Sequence, residues 1–161
     1  MGTEIERKFL LTGDEWRTMA AGVVYCQGYL CLEKDSTVRV RIAGDKAFLT
    51  IKGKSSGISR MEYEYPIPLE DARVMLAELC ARPIIEKKRY RITFQGFVWE
   101  VDEFSGENEG LLVAEIELEE EGQEFEKPSW IGEEVSSDRR YANANLVRNP
   151  YSTWKQCSSS R

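Results

Sequence analysis

Near the start of the chain, in TEIERKFLL, Glu4, Glu6 and Lys8 occupy alternate positions. Successive side chains of an extended strand point to opposite faces, so these three share one face while Ile5, Phe9 and Leu11 share the other. The same alternation recurs as Arg39 and Arg41, Thr50 and Lys52, Glu62 and Glu64, Lys87 with Arg89 and Arg91, Glu100 and Asp102, and Glu115, Glu117 and Glu119. Guanidinium forks and ammonium groups suit phosphate oxygens. Carboxylates repel phosphate, but they hold Mg²⁺ or Mn²⁺, and those ions bind phosphate in turn. The two sets make sense together as a site for a metal and a polyphosphate.

The plainer reading of any one such strand is a solvated face, with opposite charges paired across strands for ~0.2 to 1 kcal/mol each. A wet face mixes Thr, Ser, Gln and Lys loosely. Here the slots are almost purely acids and bases, and the two are concentrated on different strands. If the sheet closes on itself, those residues line an interior, where unpaired charges cost roughly several kcal/mol each and are kept for a charged ligand.

The elements that must position these residues follow from the same periodicity. Strands are expected over 4–11, 24–32, 37–43, 46–53, 60–67, 84–94, 96–104 and 111–120, a series of short strands suited to an antiparallel sheet or a closed barrel. Helices are expected in TGDEWRTMAAG, capped by Thr12 or Asp14 and stopped at Gly22, in LEDARVMLAELCARP, and in SSDRRYANANLVRNP, capped by Ser137 or Asp138. The stretch EEEGQEFEKP reads as an acidic loop and 155–161 as a loose tail after a single domain over 1–154. Tyr63, Tyr65, Phe97 and Trp99 lie on or near the apolar parity and are expected in the core, as are Trp16 and Trp130. TIKGKSS resembles the end of a phosphate-binding Gly-rich loop, but Phe48 stands where that pattern needs its first Gly.

Composition narrows the classes. A chain of 161 residues with 42% hydrophobic and 31% charged side chains is a globular protein of one-domain size. A net charge of -6 disfavours a nucleic-acid-coating protein, so an anionic ligand must meet a local basic patch. No spanning helix or secretion signal is read, which places the protein in the cytoplasm with no membrane partner. Cys26, Cys31, Cys80 and Cys157 show no CxxC spacing and read as free packing thiols. The absence of histidine removes Ser-His and Cys-His nucleophilic schemes.

In order and phase these motifs resemble the CYTH superfamily, the triphosphate tunnel metalloenzymes. ExExK stands at Glu4, Glu6 and Lys8, RxR at Arg39 and Arg41, TxK at Thr50 and Lys52, ExE at Glu62 and Glu64, a basic pair at Lys87 and Arg89, the EVDEF acids at Asp102 and Glu103, and EIE at Glu115 and Glu117. The resemblance implies an α+β fold, an eight-stranded antiparallel closed β-barrel with a charged lumen and helices packed outside, one mouth approached by a C-terminal helix. It implies that Arg39, Arg41, Lys52, Lys87, Arg89 and Arg139 grip the phosphates, with Arg140 and Tyr141 beside them. It implies that Glu4, Glu6, Glu62, Glu64, Asp102, Glu115 and Glu117 supply metal ligands, two Mg²⁺ or Mn²⁺ ions in all, and that Lys8, Glu4, Glu6 and Lys52 serve the catalytic step. Glu103 has the opposite strand parity.

In length the chain is similar to the short bacterial members that hydrolyse inorganic triphosphate to pyrophosphate and phosphate, with a small polyphosphate as the partner. Adenylyl cyclase and thiamine or nucleoside triphosphatase use the same grips, and a cyclase would add a purine pocket that no segment identifies. A polyphosphate-binding module without catalysis would show broken acidic motifs, and both are intact here. The sequence specifies no oligomeric state.

Overall fold

The computed structural model describes residues 2–33 and 35–154. The expected tail and Cys157 lie outside them. Nine strands form one antiparallel sheet: β1 (Thr3–Leu11), β2 (Gly22–Leu32), β3 (Ser36–Ala43), β4 (Lys46–Gly53), β5 (Ser59–Ile67), β6 (Ile85–Phe94), β7 (Phe97–Phe104), β8 (Leu112–Leu118) and β9 (Ile131–Glu134). The order is β5-β4-β3-β2-β6-β7-β8-β1-β9, and a further β5–β1 pairing closes the first eight into a barrel. β1 carries the closure: one edge pairs with β8 over Ile5–Phe9, and the other pairs first with β5 over Thr3–Ile5 and then with β9. β9, only 4 residues long, escaped the periodicity reading because so short a strand shows little alternation.

Charge alternation and barrel closure determine each other. Outward positions form two apolar clusters. Phe9, Trp99, Val101, Ala114, Ile116 and Leu118 on β1, β7 and β8 lie under Trp16 and Trp130. Val40 and Ala47 lie under Ala72, Leu76 and Cys80 of the helical segment α1 (Leu69–Glu78) and the turn after it. Gly28 permits that second contact, since a Cβ there would sit 2.9 Å from Cys80 Cβ and 2.8 Å from Ile84 Cδ1.

A third cluster is inside the barrel. Tyr29, Ile85, Phe104 and Val113 share strand parity with the charged residues, and Leu146 and Val147 of α2 (Asn143–Arg148) pack into them. One end of the lumen is thus plugged by an apolar helix face, and the charges occupy what remains. An eight-stranded barrel has an interior just wide enough for side chains or one small ligand.

Three expectations are corrected. The segment from 12 to 22 forms only a 3-10 turn, Glu15–Thr18, because Gly22 already begins β2 and the intervening stretch anchors Trp16 in the core rather than extending a helix. In the C-terminal segment Asp138 does cap, accepting from the Arg140 backbone N–H, but it caps a 3-10 turn that precedes α2, and residues 151–154 are helical after Pro150. Tyr63 and Tyr65 are 41% and 53% exposed, because α1 packs against β2, β3 and β4 and leaves the outer face of β5 uncovered. Trp99, Trp16 and Trp130 are buried as expected. Cys26, Cys31 and Cys80 are free thiols, and no helix among the described residues is long and apolar enough to cross a membrane.

Candidate active site

The closed barrel brings the alternating charges into one lumen. In register, Lys8 faces Glu115 and Glu6 faces Glu117 across β1 and β8, Lys52 faces Glu62 and Thr50 faces Glu64 across β4 and β5, and Arg89 faces Asp102 across β6 and β7. Lys8 Nζ lies 2.6 Å from Glu115 Oε2 and 3.5 Å from Glu6. Lys52 Nζ lies 3.0 Å from Glu4 and 3.7 Å from Glu62. Arg89 donates two parallel hydrogen bonds of 2.7 Å to Asp102 and approaches Glu100 at 3.1 Å and Glu115 at 3.4 Å. Lys87, 2% exposed, meets Asp102 at 2.7 Å.

Barrel order sorts these charges onto facing walls. The contiguous strands β3, β2 and β6 place Arg39, Arg41, Lys87 and Arg89 in the lumen and contribute no acid to it themselves; the acid that pairs most closely with them, Asp102, comes from β7. The contiguous strands β8, β1 and β5 place Glu115, Glu117, Glu4, Glu6, Glu62 and Glu64 there, with Lys8 among them. One strand, β4 or β7, separates the walls on either side. Each wall suffers from its own like charges.

On the basic wall, burial and then the neighbouring Arg39 and Arg89 lower Arg41 to about 10. Burial, aided by Arg89 and Arg41 against the pull of Asp102, lowers Lys87 to about 7. On the acidic wall, burial and Glu115 raise Glu6 to about 8, with Lys8 opposing. Burial, with Glu4 beside both, also raises Glu62 and Glu117. Burial works against ionised Asp102 and Glu115 too, but Arg89 and Lys87 hold the first below its usual range, and Lys8 and Arg89 hold the second well below.

One buried donor on the basic wall is unsatisfied among the described residues. Arg39 donates to Thr50 Oγ1 at 3.2 Å and lies 3.5 Å from Glu64, yet its buried Nε has no hydrogen-bond partner. A buried guanidinium edge left open in this way costs stability unless a ligand accepts from it. Among the described residues no three carboxylates converge as a ready metal cage. The acids free to face a hard cation are Glu6, Glu62 and Glu117, which burial and then neighbouring carboxylates raise, and Glu4, whose two oxygens both accept from Lys52 Nζ, at 3.0 and 3.3 Å. Asp102 and Glu115 are committed to Lys87, Arg89 and Lys8.

Neutral lumen residues escaped the sequence reading. Tyr25 lies under both Arg41 and Arg89, each guanidinium 5.0 Å from its ring centre. Gln27, fully buried, accepts from Arg41 Nε at 2.9 Å and donates to Asn143 Oδ1 at 3.2 Å, and Lys87 Nζ donates to the same oxygen at 3.2 Å. Strand parity with Arg39 and Lys87 could have flagged Tyr25 and Gln27. No periodic signal flags Asn143. Arg139 is exposed on the turn before α2 and joins none of these pairs, while Arg140 pairs outward with Asp138 and stacks over Tyr141 and Trp154. Glu103, of opposite parity, faces outward and accepts from Arg17 at 2.9 Å.

Comparison with known proteins agrees with this geometry. The CYTH domain matches residues 2–151. The chain is 57% identical over 156 residues to an inorganic triphosphatase of Acetivibrio thermocellus, covering 97% of this chain and all of that one. It is 37% identical to an inorganic triphosphatase of Nitrosomonas europaea, covering 90% of this chain and 97% of that one. A crystal structure of an inorganic triphosphatase superposes with a TM-score of 0.65 at 34% identity, covering 91% of this chain and 95% of that one. By its closed barrel, its sorted lumen and a match running along nearly its whole length, this chain belongs to the CYTH domain family.

Proposed function

We infer that the protein is an inorganic triphosphatase, which hydrolyses tripolyphosphate to pyrophosphate and phosphate inside the barrel. The observation that carries this reading is the sorting of the lumen into a basic wall and an acidic wall, in which burial and then neighbouring like charges disfavour the charged forms of Arg41 and Glu6. A polyphosphate against Arg39, Arg41, Lys87 and Arg89 relieves the first repulsion, and a divalent cation against Glu4, Glu6, Glu62 and Glu117 relieves the second. The two relatives named inorganic triphosphatase support the same substrate.

Each side chain then has a task. The arginine forks bind equatorial oxygens and stabilise the charge that moves onto the leaving pyrophosphate. The open Nε of Arg39 supplies a donor that the protein itself does not use. Lys8 holds Glu115 and Glu6 in place, and Lys52 holds Glu4 and Glu62. A bound Mg²⁺ or Mn²⁺ would neutralise the substrate and orient the attacking water. With no histidine in the chain, the proton leaves to a carboxylate or to a lysine, and Lys87, lowered to about 7, can exchange one near neutrality.

The test is phosphate release from tripolyphosphate, ATP and thiamine triphosphate with Mg²⁺, Mn²⁺ or EDTA, with cyclic AMP assayed in the ATP reactions. Fast metal-dependent release from tripolyphosphate with little from ATP is expected. Cyclic AMP formation moves the reading to a cyclase, and tight binding without turnover moves it to a binding module.

A further inference from the structure

One polar group that meets the basic wall comes from the plug rather than from the barrel: Asn143, which is half-buried. Asn143 opens α2, and Leu146 and Val147 of the same helix fill the apolar end behind it. Its Oδ1 accepts from Lys87 Nζ and from Gln27 Nε2, both at 3.2 Å. Arg41 can only donate, so Gln27 accepts with its oxygen and donates with its Nε2, and the Asn143 amide must turn its oxygen to Gln27 and Lys87 and its NH₂ the other way. No hydrogen bond from that NH₂ to another described residue is found, whereas Gln27, its partner, is engaged at both ends. The result is an oriented donor with no partner among the described residues, beside Lys87 of the basic wall and one residue removed from Arg41.

We propose that Asn143 determines specificity by donating from its side-chain NH₂ to the innermost phosphoryl group of the polyphosphate, at the point where the apolar plug ends the lumen. The substrate class follows: a chain whose unsubstituted end enters first, since a phosphoryl group with free oxygens meets the amide while nothing bulky passes Leu146 and Val147. Because Asn143 also holds Lys87 and, through Gln27, Arg41, docking of α2 completes the grip. The inference rests on the triphosphatase reading for the identity of the ligand.

Calorimetric titration of the full chain with tripolyphosphate, in EDTA and again in Mg²⁺, tests it on N143A and N143D, alongside KM, kcat and melting temperature. N143D keeps the oxygen that accepts from Lys87 and Gln27 but loses the donor; N143A loses the donor without adding charge. Loss of a hydrogen bond to a charged group predicts binding weaker by about tenfold or more in both variants. KM should rise similarly, kcat should change less, and N143D should melt like the wild type.

Weak binding in N143A restored by N143D would make Asn143 only a strut. Weak binding in N143D alone would be charge repulsion, and unchanged binding in both would mean that no contact exists. Each of these three results overturns the inference. A wild type that binds but does not hydrolyse tripolyphosphate would sink the triphosphatase reading while the binding comparison still decides the role of Asn143.

Discussion

Lys8 and Glu115 face each other in register across β1 and β8, and their charged ends meet at 2.6 Å inside the barrel. The pair is mostly buried, with the lysine 16% and the glutamate 7% exposed at the side chain. Removing one member of such a pair strands the other's charge and costs about 3 kcal/mol or more. K8A should therefore lose most of that in urea unfolding, although Arg89 stays 3.4 Å from Glu115. The double variant K8A/E115A should lose less than the two single losses together, by about 1 to 3 kcal/mol of coupling. Strict additivity would show that the pair does not stabilise the fold.

Glu117 differs from Glu115 in being exposed within the lumen and in having no ion pair to a cation among the described residues. Burial, Glu4, Glu62 and Glu100 all raise it, with Lys52 opposing. E117Q removes a repulsion and should melt at or above the wild-type temperature in EDTA, while its Mg²⁺ requirement rises and turnover falls about a hundredfold or more, the scale of one lost electrostatic group in a preorganised site. Full activity at the wild-type Mg²⁺ concentration would remove Glu117 from the metal set.

Glu6 makes metal-free stability depend on pH. Its folded value of about 8 lies above the ordinary 4.5, so the folded chain binds the extra proton between those limits. Stability from this group is fully present below about 4.5 and is lost as pH rises through about 8. In EDTA, E6Q should match the wild type near pH 4.5 and melt progressively higher than it toward pH 8.5. Parallel melting curves across that range would contradict the burial and the Glu115 contact assigned to Glu6.

Exposure separates the aromatic residues. Y63S and Y65S should change stability by about 0.5 kcal/mol or less, as surface substitutions do. W99A, at a fully buried position packed edge-on against Phe9 and Trp130, should cost about 3 to 5 kcal/mol. Chemical denaturation of the three variants measures the contrast.

The same contrast explains what could be read in the sequence. Strand parity located the lumen because charge is costly inside a barrel, so every buried charged position had to be matched by an apolar one on the other face. Tyr63 and Tyr65 obey the apolar parity as well as Trp99 does. What covers a strand from outside depends on where α1 lands, which is a tertiary fact. The 12–22 segment had helical spacing and a cap, but one buried Trp16 outweighed them. Tyr25, Gln27 and Asn143 are neutral, so no charge pattern could show that they tie the basic wall together and fasten it to the plug.

The double-edged pairing of β1 sets the order of assembly. Residues 3–11 precede most of their ladder partners, Ala114–Leu118 on one edge and Ile131 and Glu134 on the other, by more than a hundred positions in the chain. Nearer contacts come from Ser59, Arg60 and Met61 of β5 and from Lys52 of β4. Loop closure over such a span is entropically expensive and slow. β1 can therefore complete both of its ladders only after β8 and β9 have been synthesised, and the Lys8–Glu115 and Arg7–Glu134 pairs close at that stage.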